Sequence, residues 1–414
     1  MALKTGRTAG YLPEAEQDFS ARTVKRAEGM GNRKIFFRLT PLGKQRKNSG
    51  HLKGNSCLAN KGPLLMTSWR ATGACNARCK YCNVDATGAK APRELSTKEA
   101  LHLVDEVHEF GVRWFGIKGG EPLLRPDIFE IVGHAKSLGL NVCLLTNGCF
   151  VDGDIYDKLV KNEVWTSVSI DGPEEINDQL RGKGSYKKAV AAIEKLSKGK
   201  ILNGLAAAIT TINYKHLDHV AELADKYHAN FVWFNHLVPS GRAKETMELA
   251  PSPEQYEWTL NHIWDLTQKY EGKFEIHVHC PHYARVVKQR NIPNFDEWYE
   301  HKFHGKCTYF AFGGYLSVTE NGDLIPCFYT DLTPSEPMML GNIRDKSLQT
   351  AWEEIRSSKF YSSFKDRNVL KGKCGVCEYR ELCGGCRNRA YAYTGDIYES
   401  DPACPYIPES LRKK

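Results

Sequence analysis

The amino-acid sequence predicts an α/β fold, in which a partial (βα)6 TIM-like barrel is followed by a small cysteine-rich domain. The first observation is an alternation of apolar runs with amphipathic segments, which begins at residue 64. The second is a group of closely spaced cysteines between residues 307 and 404. At 414 residues the chain also exceeds the usual size of a single core, which favours one large domain and a smaller one.

The apolar runs predict strands, and the segments between them predict helices with apolar residues at i, i+3 and i+4. The strands are LLMTSW (64–69), WFGIKG (114–119), NVCLLT (141–146), WTSVSI (165–170), GLAAAITTI (204–212) and FVWFNH (231–236), with a further one at 275–279. The helices span roughly 97–110, 126–138, 153–162, 186–198 and 216–228. Ser96 and Glu99 fit a capping box at the first helix. This alternation implies parallel strands with right-handed crossovers, and a site at their C-terminal ends.

The composition predicts a cytoplasmic protein that does not enter a membrane. The first twenty residues contain no apolar run long enough for a signal peptide, and no later stretch reaches the ~18 apolar residues of a membrane span. Because cytosolic thiols are kept reduced, the 14 cysteines favour metal ligands or catalytic thiols over disulfides. Cys57, Cys143 and Cys149 show no ligand spacing and are interpreted as packing residues.

Residues 1–60 are predicted to form a flexible basic arm. Lys and Arg outnumber Asp and Glu there, in a chain whose net charge is +8. Such an arm could contact nucleic acid, anionic lipid or an acidic substrate. It lacks interleaved aromatic residues and a recognisable binding module, so a solvated tail is the favoured interpretation and nucleic acid is not an expected partner.

Three cysteines, Cys75, Cys79 and Cys82, follow directly after the first predicted strand. A structural zinc site would normally need a fourth protein ligand nearby. A tetranuclear iron–sulfur cluster has four irons, so three thiolates would leave one iron open for a small chelating ligand. The spacing therefore suggests an iron–sulfur cluster that binds a small ligand at its open iron.

The motif CxxxCxxC, with Tyr81 just before its last cysteine, resembles the signature of the radical S-adenosylmethionine (SAM) superfamily. Two further motifs carry the resemblance. Gly119-Gly120-Glu121-Pro122, at the end of the second strand, is similar to the family's GGEP loop, and Ser169-Ile170-Asp171-Gly172, after the fourth, resembles its SxDG element. Thr146-Asn147-Gly148 also fits, although a plain turn explains it nearly as well.

This resemblance implies an enzyme. Cys75, Cys79 and Cys82 would hold a 4Fe-4S cluster whose open iron chelates SAM, and reductive cleavage of SAM would give a 5′-deoxyadenosyl radical. The implied SAM-binding residues are Gly119, Gly120, Glu121, Pro122, Ser169 and Asp171. An external electron donor such as ferredoxin or flavodoxin is expected. An iron–sulfur scaffold or electron carrier is disfavoured, because a GGEP loop has no purpose unless SAM binds.

The C-terminal cysteines resemble those of a SPASM domain, an iron–sulfur domain that carries up to two auxiliary 4Fe-4S clusters. The resemblance divides 61–290 as the radical SAM barrel from 300–407 as the SPASM domain. It implies one auxiliary cluster on Cys307, Cys327 and Cys386, and a second on Cys374, Cys377, Cys383 and Cys404. The family usually has three residues between the third and fourth cysteines of the run, where this chain has only Gly384 and Gly385. A structural zinc site is the alternative.

Cys280 belongs to neither set of ligands, and three possibilities stay open. Either Cys280 completes the first auxiliary cluster, or it lines the substrate cavity, or that cluster also has an open iron.

HCPHYARV (279–286), ENGDLIPCFY (320–329) and CEYRELCGGCRNRAYAYTGDIYESDPAC (377–404) resemble the branch that modifies tetrapyrroles in haem synthesis. The implied reaction removes acetate or propionate carboxyls from a tetrapyrrole. A maturase that modifies a ribosomally made peptide or protein is the alternative. Candidate binders of substrate carboxylates are His236, Arg242, His277 and His279, although an ordinary structural role is favoured for each.

Overall fold

A computed structural model describes residues 66–301, 307, 315–329, 338–364 and 366–412. The predicted basic arm, residues 1–60, lies outside the described residues, as does Cys57. None of the helices in the described ranges combines the length and the apolar character that are needed to cross a membrane.

The centre of the described fold is one nine-stranded sheet with the order β7-β6-β5-β4-β3-β2-β1-β8-β9. Strands β1 to β7 run parallel, each paired with the next in sequence. All six predicted barrel strands are confirmed, and so is the further one at 275–279. The bounds are β1 Met66–Arg70, β2 Trp114–Lys118, β3 Asn141–Thr146, β4 Trp165–Ser169, β5 Leu202–Ile209, β6 Phe231–His236, β7 Glu275–His279, β8 Tyr315–Val318 and β9 Leu324–Ile325.

The other edge of the sheet is completed by the C-terminal third of the chain. β8 pairs in parallel with β1 over Met66–Trp69, and β9 folds back antiparallel on β8. Our sequence analysis did not predict these strands. The sheet is therefore a curled half-barrel with helices, and residues of the cysteine-rich part belong to it.

The helices on the sheet follow the predicted periodicity closely. Ser96 is the N-cap of α1 (Thr97–Glu109). Its hydroxyl accepts from the Glu99 amide while the Glu99 carboxylate accepts from the Ser96 amide, which confirms the capping box. The helices are α1 Thr97–Glu109, α2 Ile128–Ser137, α3 Gly153–Lys161, α4 Glu174–Arg181, α5 Ser185–Lys198, α6 Leu217–Lys226, α7 Pro253–Lys269, α8 His282–Gln289, α9 Phe295–His301, α10 Leu348–Ser357, α11 Lys359–Ser363, α12 Gly372–Gly375 and α13 Arg387–Thr394.

The main hydrophobic core lies between the outer face of the sheet and these helices. Phe115 and Ile117 of β2 and Trp69 of β1 belong to it, and each is at most 1% exposed. Burying side chains of this size contributes roughly 1.5–3 kcal/mol each. Because side chains alternate along a strand, Gly116 and Lys118 face the inner side of the half-barrel.

The loops that follow β1 and β2 touch through their backbones. The amide of Gly120 donates to the Thr72 carbonyl (2.8 Å), and the amide of Glu121 donates to the Ala74 carbonyl (2.7 Å). A Cβ atom at Gly120 would lie 2.2 Å from the Ala74 carbonyl oxygen, which no real contact allows. Only glycine at this position permits the two loops to approach so closely.

Gly120→Ala is therefore expected to push the two loops apart and to lower the free energy of unfolding by about 1–3 kcal/mol. Gly133→Ala is the matched control, because Gly133 lies within α2 and its new Cβ would meet nothing within 4 Å. Gly133→Ala should raise the free energy of unfolding by about 0.5–1 kcal/mol. Thermal and denaturant unfolding of both variants measure the difference. Equal stability of the two variants would contradict the close approach.

Candidate active site

The three cysteines of the predicted cluster lie on one loop at the C-terminal end of β1, which we call the cysteine loop (residues 73–86). The Cys75 amide donates to the Thr87 carbonyl (2.6 Å), which closes the base of the loop. The amides of Ala77 and Ala86 point at the sulfurs of Cys75 and Cys82, each at 3.4 Å. Such N–H···S contacts stabilise thiolates, which are the form that binds iron.

The thiols are crowded by other acidic groups. Burial, together with the neighbouring Glu121, Cys79 and Cys82, raises the pKa of Cys75 to about 11, although the hydrogen bond from the Ala77 amide lowers it. Burial likewise raises the pKa of Cys79, although Arg181 opposes it. Acidic groups packed together in this way need a compensating cation to ionise. A bound iron cluster supplies that charge, so this donor set fits the group that the motif implies.

Glu121 of the GGEP loop lies beside the cysteine loop and is fully buried. Its carboxylate accepts hydrogen bonds from Thr146 Oγ1 (2.8 Å) and from the amides of Asn147 (2.8 Å) and Leu123 (3.2 Å). Burial raises the pKa of Glu121 to about 7 despite these donors. A cationic ligand within reach of the carboxylate would favour its charged form.

Thr146-Asn147-Gly148, at the end of β3, also donates hydrogen bonds to the GGEP loop and the cysteine loop. Besides its bond to Glu121, Asn147 donates through Nδ2 to Asn76 Oδ1 (2.8 Å) and lies 3.9 Å from Cys75 Sγ. The ends of β1, β2 and β3 are thus joined by hydrogen bonds through Asn147 and Glu121. Gly119 and Pro122 flank this junction, at the end of β2 and at the start of a short 3-10 turn.

Asp171, at the end of β4, holds the cysteine loop from the other side. Its buried carboxylate accepts from Tyr81 Oη, from Arg181 Nε (2.6 Å) and from the Ala208 amide (2.9 Å). Ser169 is the last residue of β4 and is half-buried. The structure therefore joins Asp171 to the cysteine loop through Tyr81, and its contact with SAM stays a prediction.

Arg242 donates hydrogen bonds to the backbone of the cysteine loop and is not placed to bind a substrate carboxylate. It donates to the carbonyls of Cys79 (2.8 Å) and Ala86 (2.6 Å) and lies 3.2 Å from the Asp85 carboxylate. The guanidinium is buried, and both of its terminal nitrogens contact these groups. The structural role that the sequence favoured for Arg242 is therefore the one observed.

The three candidate histidines differ in their surroundings. His236 is buried at the end of β6, with Nε2 3.3 Å from Cys386 Sγ. His277 is buried beside Glu275 (3.2 Å). His279 is half-buried, with Nδ1 3.0 Å from Asn235 Oδ1. Of the three, His279 keeps accessible surface on the inner side of the half-barrel.

Four C-terminal cysteines line one partly open cavity, and they are Cys374, Cys377, Cys383 and Cys404. The amides of Asp401 and Gly385 point at the sulfurs of Cys374 (3.5 Å) and Cys383 (3.4 Å). Arg285, Lys373 and Arg380 line the same cavity and bring positive charge to it. The cavity therefore combines thiols, N–H donors and cations, which fits an anionic iron–sulfur cluster.

Cys386 turns away from this cavity although only two residues separate it from Cys383. Gly384 and Gly385 both adopt positive φ, +63° and +69°, which side chains rarely allow. Cys386 instead packs in a small buried cluster with Tyr329 and Cys327. Cys307 adds to the rise in the pKa of Cys386, which burial mainly causes, so it too lies near. The shortened spacing is thus accommodated by the two glycines.

Cys280 is fully buried after β7 and lies against His282. Burial raises the pKa of Cys280, but the charge and hydrogen bond of His282 outweigh it and hold that pKa below its usual value. Cys280 also contributes to the raised pKa of Tyr329, as Cys327 and Cys386 do. It therefore lies near the first predicted auxiliary site.

A buried charge cluster that sequence reasoning missed surrounds Asp401. The carboxylate accepts two bonds from Arg389 (both 2.7 Å) and one from the Cys386 amide (2.7 Å), and it lies 3.0 Å from His282. The cluster links α8, which follows β7, to the C-terminal cysteines. Within the described ranges, no three His, Cys, Asp or Glu side chains are placed to share a single metal ion.

Comparison with known proteins gives two domain matches. Residues 69–226 match the radical SAM superfamily, and residues 307–387 match the SPASM iron–sulfur cluster-binding domain. The crystal structure of Streptococcus suis SuiB with S-adenosylmethionine shares the fold. Its TM-score is 0.65 and its identity 16%, over 83% of this chain and 77% of that one.

Among curated relatives, the AdoMet-dependent heme synthase of Methanosarcina barkeri strain Fusaro is 36% identical, over 83% of this chain and 97% of that protein. The mycofactocin maturase MftC of Mycolicibacterium smegmatis is also 36% identical, but over 48% of this chain and 52% of its own. The resemblance that the motifs suggested is confirmed. The chain belongs to the radical SAM superfamily, as an enzyme with a SPASM domain in the branch of the heme synthases.

Proposed function

We propose that this enzyme removes carboxyl or acetate groups from the side chains of a tetrapyrrole in the synthesis of a haem-type cofactor, in the cytoplasm. The observation that supports this most strongly is the match to a heme synthase over nearly the whole of that protein. The match to the maturase MftC covers only about half of either chain. The PqqA peptide cyclase of Rhizobium meliloti matches over 88% of its own length, but at the lower identity of 27%. Peptide or protein maturation is the second candidate, since the relatives include maturases.

In this proposal Cys75, Cys79 and Cys82 ligate the cluster that binds SAM. Together, cluster and SAM supply a 5′-deoxyadenosyl radical when they are bound. Glu121 accepts hydrogen bonds from the ammonium group of SAM, and the backbone of Gly119, Gly120 and Pro122 borders it. Ser169 contacts the cofactor from β4, while Asp171 keeps Tyr81 and the cysteine loop in position.

The C-terminal cysteines serve as ligands of the auxiliary clusters. One set is Cys307, Cys327 and Cys386, with Cys280 as a candidate fourth ligand, and the other is Cys374, Cys377, Cys383 and Cys404. The second set is supported by the shared cavity and its cationic lining. An external donor such as ferredoxin or flavodoxin would supply the electron that cleaves SAM.

The chemistry requires both a radical and an electron acceptor. Conversion of a propionate to a vinyl group releases carbon dioxide, one hydrogen atom and one electron. SAM held at the GGEP loop would supply the deoxyadenosyl radical that takes up the hydrogen atom and becomes 5′-deoxyadenosine. An oxidised iron–sulfur cluster held by the C-terminal cysteines would supply the electron acceptor.

The test is to incubate the reconstituted enzyme with SAM, dithionite and either didecarboxysirohaem or an iron-coproporphyrin. We expect 5′-deoxyadenosine above the substrate-free background, and a product lighter by carbon dioxide or by an acetate fragment. Chromatography with mass spectrometry measures both. A tetrapyrrole panel without effect, beside a peptide encoded nearby that changes mass, would transfer the enzyme to the maturases.

Cys75→Ala should lower the iron content of anaerobically reconstituted protein by about four per chain, from about twelve with three clusters. It should also abolish SAM cleavage, because the cluster that donates the electron is lost. Cys149→Ala is the control, since Cys149 is outside all proposed ligand sets, and its iron content should not change. Iron analysis and 5′-deoxyadenosine formation are the measurements. Full iron content in Cys75→Ala would remove this residue from the ligands.

Glu121→Gln should weaken SAM binding about tenfold or more while the iron content stays intact. The variant keeps the volume of the side chain but loses a charge-assisted pair worth ~1.5–3 kcal/mol. Glu130→Gln, at an exposed position of α2, is the control and should bind SAM as the wild type does. Calorimetric titration measures the affinity. Unchanged affinity in Glu121→Gln would remove the GGEP carboxylate from the site.

A further inference from the structure

Lys118 is a cation on the inner side of the half-barrel that neither the motifs nor the relatives assign to a role. It is the last residue of β2 and directly precedes the GGEP loop. The alternation of side chains puts Phe115 and Ile117 into the core under the helices and Lys118 on the opposite face. The side chain lies deep in the molecule and still keeps part of its surface accessible.

The ammonium group of Lys118 reaches the cysteine-rich part of the chain. Nζ lies 3.1 Å from Tyr315 Oη on β8, and 4.4 Å from the centre of the Phe328 ring. Phe328 follows Cys327 directly, and the charge of that cysteine acts on Lys118. The group therefore lies between the proposed SAM site, three residues before Glu121, and the proposed first auxiliary site.

The charge of Lys118 has no acidic partner among the described residues, where no Asp or Glu oxygen lies within 4 Å of Nζ. Burial, with the positive charge of Arg70 next to it, lowers the pKa of Lys118 to about 7. Arg70 itself is paired with Glu320. Lysines are seldom this deeply surrounded unless an anion pairs with them. An anionic ligand at this point would provide the missing partner.

The surroundings of Lys118 favour a flat apolar ligand that carries carboxylates. Phe328 and Tyr315 lie on one side of the ammonium group. The ring of His279 is 5.4 Å from Phe328 and 4.1 Å from Trp233, so the aromatic surface continues across to β6 and β7. Aromatic faces bind a planar macrocycle, while a lysine binds a carboxylate.

We propose that Lys118 binds a carboxylate of the substrate inside the half-barrel and so holds the reacting side chain next to SAM. This inference rests on the proposed function and names a residue that selects for the substrate's carboxylate. Lys118 has a fixed position on a strand end, which gives the carboxylate a defined distance from the GGEP loop. An uncharged ligand of the same shape would gain nothing from it.

The experiment is an absorbance titration of the reconstituted enzyme with iron-coproporphyrin III and with its methyl ester, in which the carboxylates are uncharged. Lys118→Met should bind the acid about 10- to 100-fold more weakly than the wild type does. Wild type and Lys118→Met should bind the ester equally. Lys118→Arg should restore most of the affinity for the acid, since it keeps the charge. Lys187→Met, a change at a side chain that is 76% exposed, is the matched control and should bind the acid like the wild type.

Iron content and thermal unfolding establish that each variant is assembled, and Lys118→Gln replaces Lys118→Met if the latter fails to assemble. Equal affinity of the wild type and Lys118→Met for the acid would overturn the inference while leaving the proposed function in place. The wild type is titrated with didecarboxysirohaem as well, and its failure to bind any of the three tetrapyrroles would instead overturn the proposed function, and the inference with it.

Discussion

The cysteine loop contains no helix or strand of its own, so hydrogen bonds from neighbouring strand ends must fix its shape. The backbone contact between Glu121 and Ala74 supplies one such bond, Tyr81 donates to Asp171 just after β4, and Arg242 reaches the loop from beyond β6. These contacts come from the ends of different parallel strands, which a parallel sheet brings to one edge. The positions of the thiols depend on this convergence, and a change at any of these strand ends acts on all of them.

Much of the fold could be predicted, because parallel strands buried under helices leave a plain pattern in the sequence. The capping box at Ser96 and the runs such as WFGIKG are local signals, and both were found where the sequence predicted them. β8 could not be predicted with equal ease. β8 is only four residues long, and its partner β1 lies about 250 residues earlier in the sequence. No local sequence pattern therefore predicts the pairing.

The same distinction applies to the site. The cysteines and the GGEP loop are recognisable from the sequence because their functional residues lie only a few positions apart. Arg242, Asp401 and Lys118 acquire their surroundings only through folding, since each meets groups that are far away in sequence, as Asp401 meets His282. A lone arginine or lysine carries no signal of this kind, and Arg242 in particular was considered as a substrate binder although it holds backbone carbonyls.

The pairing of β8 with β1 has a consequence for how the chain folds as it is synthesised. β1 emerges early and finds β2 within about fifty residues, but its other edge stays open until Val318 has left the ribosome. An open strand edge is a template for wrong pairing with other chains. The strand that precedes the cysteine loop therefore keeps one edge open to aggregation while residues 119–314 are synthesised. Iron that arrived before β8 had docked would meet a loop whose supporting strand is paired on one side only.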